Sequence, residues 1–150
     1  MQKTLKGSGH HEPSVMKGPL SPKVHGYLDL GAIALLFLAP TLFDFGGVAA
    51  GILYFVAVAY IGLVLLTAYP LGLAKVIPFT THGWIEAALS LFFLFAPFLF
   101  GFSDVPRARN FFLIAGVGLI GVFLFTNYAA AERPHRGVRA GSGVDNRARV

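Results

Sequence analysis

The chain has 150 residues, of which 55% are hydrophobic and only 13% charged, and its mean hydropathy is +0.68. Soluble domains carry about a quarter charged residues, so this deficit excludes an ordinary water-facing surface. The absence of cysteine excludes disulfides, thiolate metal sites and cysteine nucleophiles, and the formal net charge of +5 is concentrated towards the chain ends.

Residues 1–21 form a polar N-terminal tail with Lys3, Lys6 and Lys17. The tail lacks the apolar core of a signal peptide, so no cleavage is expected. A span needs about 20 predominantly apolar residues. Span one is expected from about Val24 to Phe43, with Ser21-Pro22 supplying an N-cap and a proline at the first helical position. Span two runs from about Gly47 to Tyr69, inside an uncharged run that Tyr69-Pro70 breaks. Span three runs from about Thr81 to Phe100, and span four from about Asn110 to Ala131. Residues 132–150 form a basic, flexible tail with five Arg. Basic residues beside a span are topology signals that attract anionic lipid, so nucleic acid is not the expected partner.

Runs such as Leu91-Phe92-Phe93-Leu94-Phe95 do not alternate as a transmembrane barrel strand would. In hydrocarbon they must be helices, because every backbone polar group needs an internal partner. The expected fold class is therefore an all-α integral membrane protein, a four-helix bundle occupying residues 22–131. Ten of the twelve Lys and Arg lie outside the two hairpin loops. By the positive-inside rule, both termini are expected on the cytoplasmic face of a bacterial inner membrane, although Arg107 and Arg109 run against the count. Tyr27, Tyr69, Trp84 and Tyr128 are then expected at the inner interface.

The chain repeats itself. At an offset of 57, His25-Gly26-Tyr27-Leu28-Asp29 lies over His82-Gly83-Trp84-Ile85-Glu86, and Ala39-Pro40 lies over Ala96-Pro97. At an offset of 59, Thr67-Ala68-Tyr69 lies over Thr126-Asn127-Tyr128. Repeat one covers 24–69 and repeat two 81–128. Each copy is a helical hairpin beginning and ending on one side, so the copies are parallel rather than inverted.

A proline near the end of spans one and three, followed by Leu42-Phe43-Asp44-Phe45 and Leu99-Phe100-Gly101-Phe102, resembles the SPW-repeat family of small bacterial membrane proteins. Ala39-Pro40-Thr41 and Ala96-Pro97-Phe98 stand where that family has Ser-Pro-Trp. The resemblance implies the tandem-hairpin architecture and no defined activity.

His25 and Asp29 are four apart, as are His82 and Glu86, so each pair shares one helix face. Parallel repeats put both pairs at one depth. Ionisable groups inside a span are costly and mark functional candidates. Four roles fit: a structural cluster that docks the hairpins; a site for a polar head group, a quinone-like molecule or a pigment; a metal site; and a proton relay. The spacing is only compatible with metal and no further ligands appear, so no metal ligand is assigned. Pro40 and Pro97 are expected to kink or end their helices. Gly47, Gly51, Gly62, Gly116, Gly118 and Gly121 are expected to pack helices closely, mainly within the molecule. Thr67, Thr126 and Asn127 are expected to hydrogen-bond to backbone or neighbouring helices. His10-His11 reads as a solvent-exposed pair in the tail.

No catalytic motif is present, and no cofactor is specified. The leading expectation is a non-enzymatic structural protein or accessory subunit, with the bilayer and partner membrane proteins or copies of itself as partners. The alternative is a ligand-handling protein, a small transporter or a quinone- or metal-binding protein, centred on the His/acid pairs.

Overall fold

The computed structural model describes residues 18–130. Four helices follow in order: α1 (Pro22–Leu42), α2 (Gly47–Leu66), α3 (Phe79–Leu99) and α4 (Pro106–Phe125), with a 3-10 turn at Tyr128–Ala130. The described residues contain no strand beyond isolated bridges. Each helix has 20 or 21 residues, enough to cross a hydrocarbon core of about 30 Å. The outward surface is apolar: Phe55 is 75% exposed, Ile114 73% and Leu99 71%. Large apolar side chains facing outward along all four helices identify lipid as the surrounding medium. The protein is an all-α integral membrane protein with four spanning helices.

Helix ends explain how the repeats are built. Ser21 caps α1 by accepting from the Val24 N–H, and Pro22 occupies the first turn. At the hairpin-loop end, Pro40 and Pro97 sit in the last turn of α1 and α3. Their carbonyls accept from the Phe45 and Phe102 N–H groups at 3.0 Å each. This bond is the Schellman closure, and it needs a left-handed residue one position earlier. Asp44 (φ 52°) and Gly101 (φ 69°) supply it at equivalent positions.

Three boundaries differ from the expectation. α2 stops at Leu66 rather than Tyr69, and α4 stops at Phe125 rather than near Ala131. Thr67 and Thr126 turn extended, with ψ of 140° and 139°, and bridge to the segments that lead into α3 and α1. Leu20 pairs with Thr126, and Ile77 with Thr67. Hydropathy does not register this exit from the helix, because Thr67-Ala68-Tyr69 and Thr126-Asn127-Tyr128 carry no charge. α4 also begins at Pro106, before Arg107 and Arg109. A hydropathy count excludes such residues, whereas long arginine side chains snorkel from a helix end.

The helices pack mainly within their own hairpins, α1 on α2 and α3 on α4, while α1 and α4 touch lightly. Gly47, Gly51, Gly62, Gly118 and Gly121 have open space around their Cβ positions, so they make no intramolecular close approach. That role falls to Gly116, where a Cβ would meet Leu94 at 2.9 Å and the Ser90 carbonyl at 3.0 Å. Only 18–21 of the N-terminal tail is described. His10-His11 and the basic C-terminal tail lie outside the described residues.

Candidate functional site

The repeated His/acid pairs meet. His25 and Asp29 on α1, and His82 and Glu86 on α3, form one cluster whose ligand-type atoms lie within 4.8 Å of one another. None of the four is more than 1% exposed. They occupy the second and third turns of their helices, roughly 5 to 10 Å along the axis from the end at which α1 and α3 begin.

The threonines at the ends of α2 and α4 orient the imidazoles. Thr126 Oγ1 donates to the Val122 carbonyl at 2.6 Å, and Thr67 Oγ1 donates to the Leu63 carbonyl at 2.6 Å. A hydroxyl has one hydrogen, so towards a second partner each oxygen can only accept. His25 Nδ1 lies 2.9 Å from Thr126 Oγ1, and His82 Nδ1 lies 2.8 Å from Thr67 Oγ1. Both Nδ1 atoms therefore carry the proton and donate it. In the neutral ring this turns the Nε2 lone pair inward. Each His takes its threonine from the other repeat, so the two hairpins are latched reciprocally.

The two Nε2 atoms are 3.5 Å apart. His25 Nε2 is 3.3 Å from an oxygen of Asp29 and 3.3 Å from one of Glu86, and His82 Nε2 is 3.7 Å from each carboxylate. Tyr60 on α2 completes the inner wall. Its hydroxyl approaches Asp29 Oδ1 at 3.0 Å and lies still closer to Glu86 Oε1. One phenolic hydrogen cannot serve both acids. Glu86 Oε2 is buried with no hydrogen-bond partner among the described residues.

Aromatic rings close the cluster on the side where α1 and α3 begin. Phe79 stacks on Tyr69 at 5.5 Å and meets His25 edge-on at 5.0 Å. Tyr128 packs against Phe79 at 4.9 Å. Tyr69 donates to Asp29 Oδ2 at 3.1 Å. Burial, reinforced by the charge of Asp29, holds the Tyr69 hydroxyl above the usual phenol range, so it stays a donor. Burial, then the charge of Glu86, does the same for Tyr128.

Gly26 and Gly83 give these rings their room. A Cβ at Gly26 would stand 2.6 Å from the Tyr69 ring, and one at Gly83 would stand 2.4 Å from the Tyr128 ring. The expectation that Tyr69 and Tyr128 face the lipid interface is therefore corrected. Both are buried over the polar cluster, whereas Tyr27 (56% exposed) and Trp84 (64%) do face outward. Sequence reading also missed Tyr60. Its repeat counterpart is Leu119, so the offset that reveals the quartet hides the phenol.

Five groups of three chemical kinds thus converge in a buried site: two imidazole nitrogens, two carboxylates and a phenol. Such a set can hold a cation or store protons. No family model matches the chain, and no match was found among curated proteins or solved structures.

Proposed function

We propose that this membrane protein binds one divalent transition-metal ion through His25, Asp29, His82 and Glu86. The observation that carries the reading is the inward direction of both Nε2 lone pairs, fixed by the threonine bonds to Nδ1. Metal-bound histidines nearly always donate their other ring N–H in this way.

Distance and charge support the same reading. Bonds of about 2.1 Å in a tetrahedral site put neighbouring ligand atoms about 3.4 Å apart. The nitrogen–nitrogen separation of 3.5 Å falls on that edge length, the two imidazoles lie 3.3 to 3.7 Å from different oxygens of each acid, and one ligand atom from each of the four residues lies within 4.8 Å of the others, close enough to contract onto one ion. Two neutral imidazoles, two carboxylates and one divalent cation sum to zero charge, which suits a buried site far better than two uncompensated carboxylates. Mixed imidazole and carboxylate ligands suit zinc, iron or manganese, whereas calcium and magnesium prefer all-oxygen shells.

Protein purified in mild detergent is expected to hold about one such ion per chain by elemental analysis. His82→Gln and Glu86→Gln should each remove most of it while the helical content is kept. Wild-type protein that takes up no zinc, iron or manganese above the background of a metal-free control sinks the reading. The rival is a site neutralised by two protons.

The reciprocal latches also favour a docking role for the cluster, in line with an accessory subunit. The Lys and Arg distribution supports cytoplasmic termini in a bacterial inner membrane. The tandem hairpins with their late prolines support kinship with the SPW-repeat proteins.

A further inference from the structure

Because α1 and α4 touch lightly, a cleft runs between the hairpins on that side. Its inner part, about 300 Å³, is walled by aliphatic and phenyl groups, and Tyr60 alone among its lining side chains carries a polar group. Its outer part, about 700 Å³, shares Leu35, Phe111 and Ile114 with the inner one and opens at Asp44, Arg107 and Asn110. The two parts therefore adjoin along a shared wall, apolar in the inner part and polar at the outer end. Both volumes lie in the range of ligand sites, about 300 to 1,000 Å³.

At the mouth Arg107 is ion-paired with Asp44 and keeps further donors that a phosphate can take. Arg107 reaches Asp44 through Nη1 alone, yet a guanidinium has five N–H donors on three nitrogens. Its side chain is 62% exposed. It stands in the first turn of α4, a helix of 20 residues, where the helix dipole and unpaired backbone N–H groups favour phosphate. Arg107 and Arg109 are also the cations that run against the topology count.

We propose that this cleft holds an acyl chain of one anionic phospholipid, with the phosphate at Arg107 and the chain running inward towards Tyr60. The site does not depend on the metal reading. Its occupant enters sideways from the bilayer, the medium that already surrounds α1 and α4.

Native mass spectrometry of the full chain, exchanged from detergent into nanodiscs of defined lipid, tests this. The probes are phosphatidylglycerol and an uncharged diacylglycerol of the same chains. Wild-type protein is expected to retain one phosphatidylglycerol, with at least tenfold preference over diacylglycerol. Gly118→Phe should reduce retention at least tenfold. Gly118 lines the inner part, and a Cβ there meets nothing within 4 Å, so the backbone accepts a side chain at this position. Arg107→Gln should erase the preference for the anionic lipid while a lipid is still held. Equal retention by Gly118→Phe and wild type overturns the proposal, as does equal retention of the two lipids by wild type. A quinone or a peptide found in place of the phospholipid overturns it too. Metal content, measured in parallel, is expected to be unchanged in both variants, which separates this result from the fate of the metal site.

Discussion

A threonine hydroxyl decides the chemistry of each histidine. Because Thr67 Oγ1 gives its hydrogen to Leu63, it must accept from His82, and the ring presents a bare Nε2 to the cluster. Thr67→Val keeps the shape and removes the acceptor. It is expected to weaken metal binding 10- to 100-fold, the usual cost of losing an outer-shell partner, while Thr67→Ser restores it. Competition with a chromogenic chelator measures both, and unchanged affinity in Thr67→Val would remove the basis for the tautomer argument.

Tyr60 is a different case. Its hydroxyl lies against both acids but has one hydrogen to give, so Tyr60→Phe leaves one buried carboxylate oxygen without its donor. Unsatisfied buried groups cost about 1–3 kcal/mol each, more when charged. The metal-free variant should lose stability on that order and the metal-loaded one less, which paired thermal melts can resolve. The quartet was legible because a His-Gly-aromatic-aliphatic-acid pattern occurs twice at one offset. Tyr60 was not, since it sits in an uncharged run and has no second copy.

At the scale of elements, glycine placement separates packing from mere composition. Gly26 and Gly83 lie on the inward faces of α1 and α3, and a side chain there collides with a tyrosine ring. Gly26→Ala would displace Tyr69 and its bond to Asp29, and a loss of about 1–3 kcal/mol is expected, the range for overpacking a tight contact. Gly62→Ala faces open space, and in a helix interior it should be neutral or stabilising by up to about 1 kcal/mol. Unfolding in graded denaturing detergent tells the two apart, and equal effects would refute the assignment.

Hydropathy placed all four helices correctly, yet it could not rank these glycines. The sequence shows a glycine's spacing along its own helix, but not which ring from another segment lies above it. The same blindness explains Tyr69 and Tyr128. An aromatic ring beside a span reads as a lipid anchor until the glycine facing it is located in space.

For the whole molecule, the question is what holds two lightly touching hairpins together. Lipid removes the hydrophobic drive for helices to associate, so packing and polar contacts must supply it. Here the polar contacts gather at one end: two reciprocal His–Thr bonds, two backbone bridges and the quartet between α1 and α3. The ligands come from both hairpins, so an ion binds the docked arrangement and not the separated one. Mass action then sets the gain, about 2.7 kcal/mol when free metal is a hundredfold above its dissociation constant. A strong chelator should therefore lower the melting temperature of the wild type, and added metal should restore it. Asp29→Asn with Glu86→Gln removes both carboxylate charges and should melt at one temperature with or without metal. If chelation leaves the wild-type melt unmoved, the hairpins are joined by the latches alone, and the quartet is a neutral structural cluster rather than a metal centre.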